Sequence, residues 1–378
     1  MRNYRITSVW GIPIQVNVSL LVFLPILAWL IGSGTQIETY TGIINGLAGT
    51  GLDPVALQQG SLPWVIGILA AVGLFVSVAI HELGHSWVAL RYGLGVESIT
   101  LWILGGLASL SQMPREWNRE FWIAIAGPIT SLLVGAVCYL GVQLLPASTP
   151  VATFVLGWLA VTNVVLAVFN MIPAFPMDGG RILRALLARS QPYAQATRTA
   201  ARIGSGFAVV FAVVGVLSFS PILLLLALFL YGAANGESRT VVLADLLEGV
   251  AVDDLATEDG VTVPADATVS DLVTRMFDQR RTEFAVTENG EIVGTVTLAA
   301  FRSLSPEERQ RTTVGELASR DLPRLASGTT AFDALIELDR QGADAALIDS
   351  PAGTRIVSRS DFASALELRR LMGTGSPR

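Results

Sequence analysis

Lysine is absent from the 378 residues, histidine occurs twice, cysteine once, and charged side chains make up only 15% of the chain. The lone cysteine, Cys138, excludes a disulfide framework and cannot build a thiolate metal site by itself; inside an apolar run it reads as a small core filler. So little charge, beside 52% hydrophobic residues and a mean hydropathy of +0.56, excludes a disordered, collagen-like or nucleic-acid-binding chain. The charge that is present is unevenly divided. Residues 1–236 hold 7 acids and 10 arginines, whereas residues 237–378 hold 24 acids and 15 arginines. That contrast separates a body dissolved in a lipid bilayer from one dissolved in water, so two domains are expected, 1–236 and 237–378.

Apolar stretches near 17–33, 63–91, 121–145 and 151–172 are each of bilayer-spanning length, about 20 residues. The run 203–235 divides at Ser218-Phe219-Ser220-Pro221 into 203–218 and 221–235, which brings the expected number of transmembrane helices to about six. With both ends on one side, all ten arginines of this half fall on that side, and the loops 34–62, 146–150 and 218–221 carry none. The positive-inside rule then predicts a multi-pass protein of the cell membrane with cytoplasmic N- and C-termini. No small-residue cleavage pattern follows Arg2 and Arg5, so the first helix is expected to be retained. The 34–62 loop, with Gly46, Gly49, Gly51 and Gly60, shows no recognisable fold.

The second span contains His81-Glu82-Leu83-Gly84-His85, an HExxH pattern that uses both histidines of the chain. On a helix, residues i and i+4 share a face, so both imidazoles can reach one zinc ion, and Glu82 stands beside it as general base for the water such an ion activates. Ionisable groups within a span are expensive and mark function by default. A catalytic zinc takes three protein ligands, and there is no third histidine. Asp178, the single acid between Glu120 and Glu237, is the natural candidate; capping the helix introduced by Gly179-Gly180 is the alternative role for it. Pro173 and Pro176 forbid a regular helix just before it, and irregular backbone at membrane depth belongs where it is buried in protein or lines a cavity.

These two segments resemble the site-2 protease family of intramembrane zinc metalloproteases over most of residues 1–236. That family pairs an HExxH helix with a later Asn-x-x-Pro-x-x-Pro-x-Asp-Gly segment, matched here by Asn170 to Gly179 without departure. The resemblance implies one zinc per chain on His81, His85 and Asp178, with Glu82 as catalytic base. It also implies that Asn170 contacts the substrate or steadies the tetrahedral intermediate. Gly105-Gly106 and Ala126-Gly127-Pro128 also look like the family, while reading equally as a hairpin turn and a helix kink. The implied substrate is a membrane-spanning protein segment, which must unwind before attack. The β-branched and apolar segments Ile6 to Val18 and Val96 to Leu110 are therefore expected to form a small membrane-associated sheet, which either offers its edge to unwound substrate or only packs the protein.

The soluble part repeats at a period of 62: Val252, Leu255, Ala256, Thr268 and Asp271 recur as Val314, Leu317, Ala318, Thr330 and Asp333. Repeats 250–305 and 312–370 each read as a short strand, an amphipathic helix, two strands and a closing helix. The order resembles a tandem pair of CBS domains, an α+β module. In that family a Ser/Thr-x-x-Asp holds an adenosyl ligand such as ATP, AMP or S-adenosylmethionine, which implies a nucleotide site at Ser358 and Asp361; the first repeat departs, with Ala300 following Thr297 where the Asp belongs. A ligand-free docking module and a homodimer through the pair are the other roles the resemblance carries. The expected function is thus zinc-dependent intramembrane proteolysis tuned by the tail. Its rival, a CBS-gated metal or ion transporter using the same His/Asp cluster, has no need for Glu82 beside a ligand.

Overall fold

Alternating apolar and polar residues build a hairpin at the start of the computed structural model, which describes residues 3–103, 105–110, 115–256, 262–350 and 353–371. Strands β1 (Asn3–Val9) and β2 (Ile12–Asn17) pair antiparallel around Trp10 and Gly11, whose positive φ angles of 52° and 81° suit a two-residue turn. In β2, Ile12, Ile14 and Val16 are buried while the residues between them are less so, the period-2 mark of a sheet covered on one face.

Four helices follow: α1 (Val18–Ile31), α2 (Gly34–Ala48), α3 (Pro54–Leu57) and α4 (Leu62–Arg91). A second hairpin, β3 (Val96–Trp102) with β4 (Gly105–Leu110), joins the first through parallel pairing of β2 with β3. The sheet order is β1-β2-β3-β4, which leaves β4 on an edge. Further helices follow among the described residues: α5 (Trp117–Leu144), α6 (Pro150–Asn170), α7 (Asp178–Ala188), α8 (Tyr193–Leu217) and α9 (Pro221–Leu246).

Among the described residues, five helices, α4, α5, α6, α8 and α9, are long and apolar enough to cross a membrane, or six spans if the bent pair α1–α2 counts as one. At 1.5 Å per residue, α1 rises about 21 Å, short of a hydrocarbon core of about 30 Å. It then turns by 67° into α2. The 34–62 segment is folded, in contrast to the sequence expectation. Ile37, Ile44 and Leu57 are buried with Phe154 and Trp158 of α6. Asn45 pins the segment by accepting from Leu52 N (2.8 Å) and Thr50 Oγ1 (2.6 Å) and donating to Leu52 O (2.9 Å). Its inward positions 37, 41 and 44 share one helix face, but glycine and threonine between them blur the pattern. Helix α8 begins ten residues before 203 and α9 continues to Leu246, because an apolar run marks only the greasiest part of a helix and not its polar ends.

In α4, the buried residues Ala71, Phe75, Val78, His81, His85 and Ala89 recur every three or four positions. The HExxH histidines therefore lie on the inward stripe of the helix. At the other end of that stripe, a Cβ on Gly67 would overlap the Ala28 backbone, so glycine there sets how closely α1 crosses α4.

The chain divides into two compact units, Met1–Arg239 and Thr240–Arg378. The second unit contains α10 (Val252–Leu255), β5 (Thr262–Pro264), α11 (Val269–Gln279), β6 (Glu283–Glu288), β7 (Glu291–Thr297) and α12 (Pro306–Arg311). The order then recurs in α13 (Val314–Leu317), β8 (Arg324–Ala326), α14 (Ala331–Gln341), β9 (Ala345–Ser350), β10 (Gly353–Ser358) and α15 (Arg359–Leu371). The sheets are β5-β6-β7 and β10-β9-β8.

The residues repeated at a period of 62 now have reasons. Thr268 and Thr330 are the N-caps of α11 and α14, accepting from Asp271 N at 3.2 Å and Asp333 N at 3.1 Å, contacts of a kind that stabilises a helix by about 1 kcal/mol. Val252 and Val314 open the short helices α10 and α13, and each is buried in the other copy's core: Val252 with Leu325, Ala331 and Ile348, Val314 with Val263, Val269 and Phe284. The two copies interlock, so the sequence repeat and the packing unit are offset.

Candidate metal centre

His81 and His85 of α4 and Asp178 of α7, 97 positions from His81 in sequence, meet in one buried cluster. His81 Nε2 lies 3.1 Å from His85 Nε2 and 3.1 Å from Asp178 Oδ2, and His85 Nε2 lies 3.2 Å from the same oxygen. A tetrahedral zinc with ligands at 2.0–2.1 Å separates them by about 3.3 Å, so this triangle has the size of three corners of such a site, with the fourth left for water or substrate.

The ligand atoms are also oriented correctly. His85 Nδ1 donates to the Ile123 carbonyl at 2.7 Å, which places the proton on that nitrogen and turns the Nε2 lone pair into the cluster. His81 Nδ1 is 2.8 Å from Ser131 Oγ. Both partners lie on α5, and between them Gly127 packs against the two rings; a Cβ there would come within 2.6 Å of His81 Nε2 and closer still to the His85 ring. Neither Ser131 nor Ile123 stands out in the sequence. Their only signal is spacing, since 123, 127 and 131 fall on one helix face.

Asp178 opens α7 but does not cap it. The N-cap is Met177, without a side-chain cap bond, and the Asp178 carboxylate turns to the histidines instead. A Cβ on Gly179 would overlap the backbone of Met171 and Ile172, and one on Gly180 would meet Phe175 N at 2.7 Å. The glycine pair thus lets α7 fold back on the irregular segment after α6 and deliver Asp178. Asn170 ends α6, half-buried. Glu82 is half-buried too, next to the edge strand: a Cβ on Gly106 of β4 would lie 2.8 Å from Glu82 Oε1. The base candidate and the sheet edge are neighbours.

Residues 69–211, which contain all three cluster residues, match Peptidase family M50, and residues 252–306 match the CBS domain. A protein of Methanocaldococcus jannaschii named as a zinc metalloprotease is 34% identical over 296 residues, 78% of each chain. The chain belongs to the M50 peptidase family. Rip3 of Mycobacterium tuberculosis, whose name also carries "zinc metalloprotease", is 35% identical to this M50 chain over 267 residues, 68% of each. Among solved structures, a site-2 protease from M. jannaschii aligns with a TM-score of 0.42 at 34% identity, covering 63% of this chain and 96% of that one. The M50 chain is a membrane zinc metalloprotease of the site-2 protease type with a CBS region, as its sequence resemblance implies.

The other expected site lies in the second unit of this M50 chain. Ser358 donates through N and Oγ to Asp361 Oδ2, each at 2.8 Å, at the start of α15. They line a cleft of about 270 Å³ together with Arg280, Arg281, Thr282 and Glu283. The arginine pair carries no signal in the sequence, where it reads as the polar end of α11. Burial pushes the Glu283 carboxyl up to about 7, helped by the charges of Asp344 and Asp361.

Proposed function

We propose that this chain hydrolyses peptide bonds within or near transmembrane segments of membrane-anchored proteins, with His81, His85 and Asp178 holding one zinc ion. The observation that carries the reading is the ligand triangle of 3.1–3.2 Å, with the His85 lone pair turned inward by the Ile123 carbonyl. When bound, zinc supplies Lewis acidity and lowers the pKa of water to about 7. The chain's own groups do the rest. Glu82 takes the proton of the attacking water at its carboxylate and returns it to the leaving amide nitrogen. Asn170 donates its amide hydrogens to the substrate carbonyl oxygen as that oxygen gains charge. An unwound substrate strand adds to the edge of β4, supported by the contact of Gly106 with Glu82.

Both termini face the cytoplasm in this reading, as the arginine distribution favours. The cleft at Ser358 and Asp361 takes an adenosyl nucleotide whose phosphates meet Arg280 and Arg281, and the tail pairs with a second copy of itself. Calorimetric titration of ATP, AMP and S-adenosylmethionine into the full chain tests the cleft; heat with none of them would favour a docking module.

The central test needs no substrate. Zinc per polypeptide is measured in detergent-purified wild type, His81→Ala and Asp178→Ala. About one zinc in wild type and its loss from both variants is expected. A zinc-free, well-folded wild type, or indifference to Asp178, would sink the proposal. Glu82→Gln should then keep zinc and abolish peptide hydrolysis, which a transporter would not require.

A further inference from the structure

Two buried charges of the membrane unit take no part in the proposed reaction, and they face each other. Arg184, six residues beyond Asp178 on α7, is 1% exposed, and Glu120, in the first turn of α5, is 3% exposed. The guanidinium donates through Nε (2.8 Å) and Nη2 (2.5 Å) to Glu120 Oε1, and through Nη1 to Glu237 Oε1 on α9 (2.5 Å). Its faces lie against Phe175 and Tyr193, with each ring centre 5.0 Å from the guanidinium carbon.

An arginine this deeply buried is costly unless its donors are filled, so the arrangement specifies geometry closely. What it gathers is telling. Glu120 sits on α5, the helix that orients both histidines; Phe175 belongs to the irregular segment that delivers Asp178; α7 carries Asp178 itself. One side chain ties together the pieces that fix all three ligand atoms.

The two carboxylates differ. Glu120 Oε2 is buried without a hydrogen-bond partner among the described residues, so water does not reach that side. The Glu237 side chain is 26% exposed. Water can therefore replace Glu237 on the guanidinium far more readily than it can replace Glu120. Arg184–Glu120 is the fixed half of the cluster and Glu237 the detachable half.

We propose that Arg184 is a positioning residue for the metal ligand Asp178, and that Glu237, its partly exposed carboxylate partner, changes how firmly Arg184 and hence Asp178 are held. The inference rests on the zinc reading above. Outer partners of metal ligands typically change affinity 10–100-fold when removed, and this one acts at one further remove, so an effect of about ten-fold is expected.

The full-length protein, loaded with zinc in detergent, is chased with EDTA, and the cobalt-loaded protein is read by visible absorption, which reports coordination geometry. Glu237→Gln keeps one zinc per chain, releases it about ten-fold faster than wild type, and shifts the cobalt spectrum, a change that loosened packing elsewhere would not produce. In an Arg184→Lys background, which keeps the charge and loses the fork, Glu237→Gln adds nothing. Release rates and spectra equal to wild type would overturn the proposal, as would a full Glu237→Gln effect persisting beside Arg184→Lys. Should Arg184→Lys fail to fold, the single variant at the partly exposed Glu237 decides alone. A wild type that binds no zinc overturns the metal reading and this inference together; zinc bound normally with release unchanged overturns this inference alone.

Discussion

Ser131→Ala removes one oxygen atom and should weaken zinc binding by one to two orders of magnitude. The Ser131 hydroxyl is buried and lies 2.8 Å from His81 Nδ1, itself buried. Alanine fits the space, so the change is not a steric one. What is lost is the partner of a buried ring nitrogen, and leaving such a group unsatisfied costs about 1–3 kcal/mol. Measured effects of removing a hydrogen-bond partner behind a metal-bound histidine, about 10–100-fold in affinity, correspond to about 1.4–2.7 kcal/mol, so the two routes to the magnitude agree. Physically, the His81 ring loses the contact that fixes its rotation, and part of the population then turns Nε2 away from the ion. The assay is competition between the detergent-purified protein and a chelator of known zinc affinity. Ser205→Ala is the control, because Ser205 Oγ donates within its own helix to Ala201 O (2.9 Å) and the change should leave affinity unchanged. A Ser131→Ala protein that holds zinc as tightly as wild type would refute the orienting role.

Gly127→Ala places a methyl group against both histidine rings and should abolish zinc binding while the protein remains in the membrane fraction; normal zinc content would show that α5 can withdraw. Gly106→Val drives a branched side chain into Glu82, so hydrolysis should fall at least ten-fold with zinc content unchanged, and wild-type turnover would separate β4 from the reaction. Glu283 gives a pH signature in the second unit. Its folded value of about 7 lies above the ordinary carboxyl value of 4.5, so the stability linked to it is complete below about pH 4.5 and is lost as pH rises toward 7. Glu283→Gln should therefore raise the melting temperature of this unit more at pH 8 than at pH 5, and a gain independent of pH would contradict that origin.

Much of this is legible in the sequence because polar residues within spans are conspicuous. His81, Glu82, His85 and Asp178 stand out as ionisable groups in apolar surroundings, and the Asn170–Gly179 segment stands out through its prolines. The period of 62 is visible because N-caps such as Thr268 and Thr330 accept a narrow choice of side chains. What stays hidden is carried by groups whose type says nothing. The Ile123 acceptor is a backbone carbonyl that every residue possesses, and Ser131 is an ordinary helix serine. Helix α2 escapes a sequence reading because packing against Phe154 and Trp158, rather than its own apolar content, holds it. The exchange of α10 and α13 between the two copies is invisible for another reason: a repeat in sequence shows what recurs and not which copy it packs against.

Helix α5 supplies no ligand and yet touches both histidines and, through Arg184, the helix that carries Asp178. Glu120, Ile123, Gly127 and Ser131 fall at spacings of three, four and four, a single stripe on one face. Along it the helix offers, in order, a carboxylate to Arg184, a carbonyl to His85, an empty space for both rings and a hydroxyl to His81. Rotating or sliding α5 would disturb all four at once, because they are rigidly linked by the helix. The opposite face, with Leu133, Val137 and Leu140 exposed, has no such constraint. The ligands are divided between α4 and α7, and neither helix can set the distance between them alone. That distance is set by α5, through the hydrogen bonds to the histidines on one side and the Glu120–Arg184 pair on the other. The ligand triangle is therefore a property of three helices, and the short HExxH motif is only the part of it that a sequence displays.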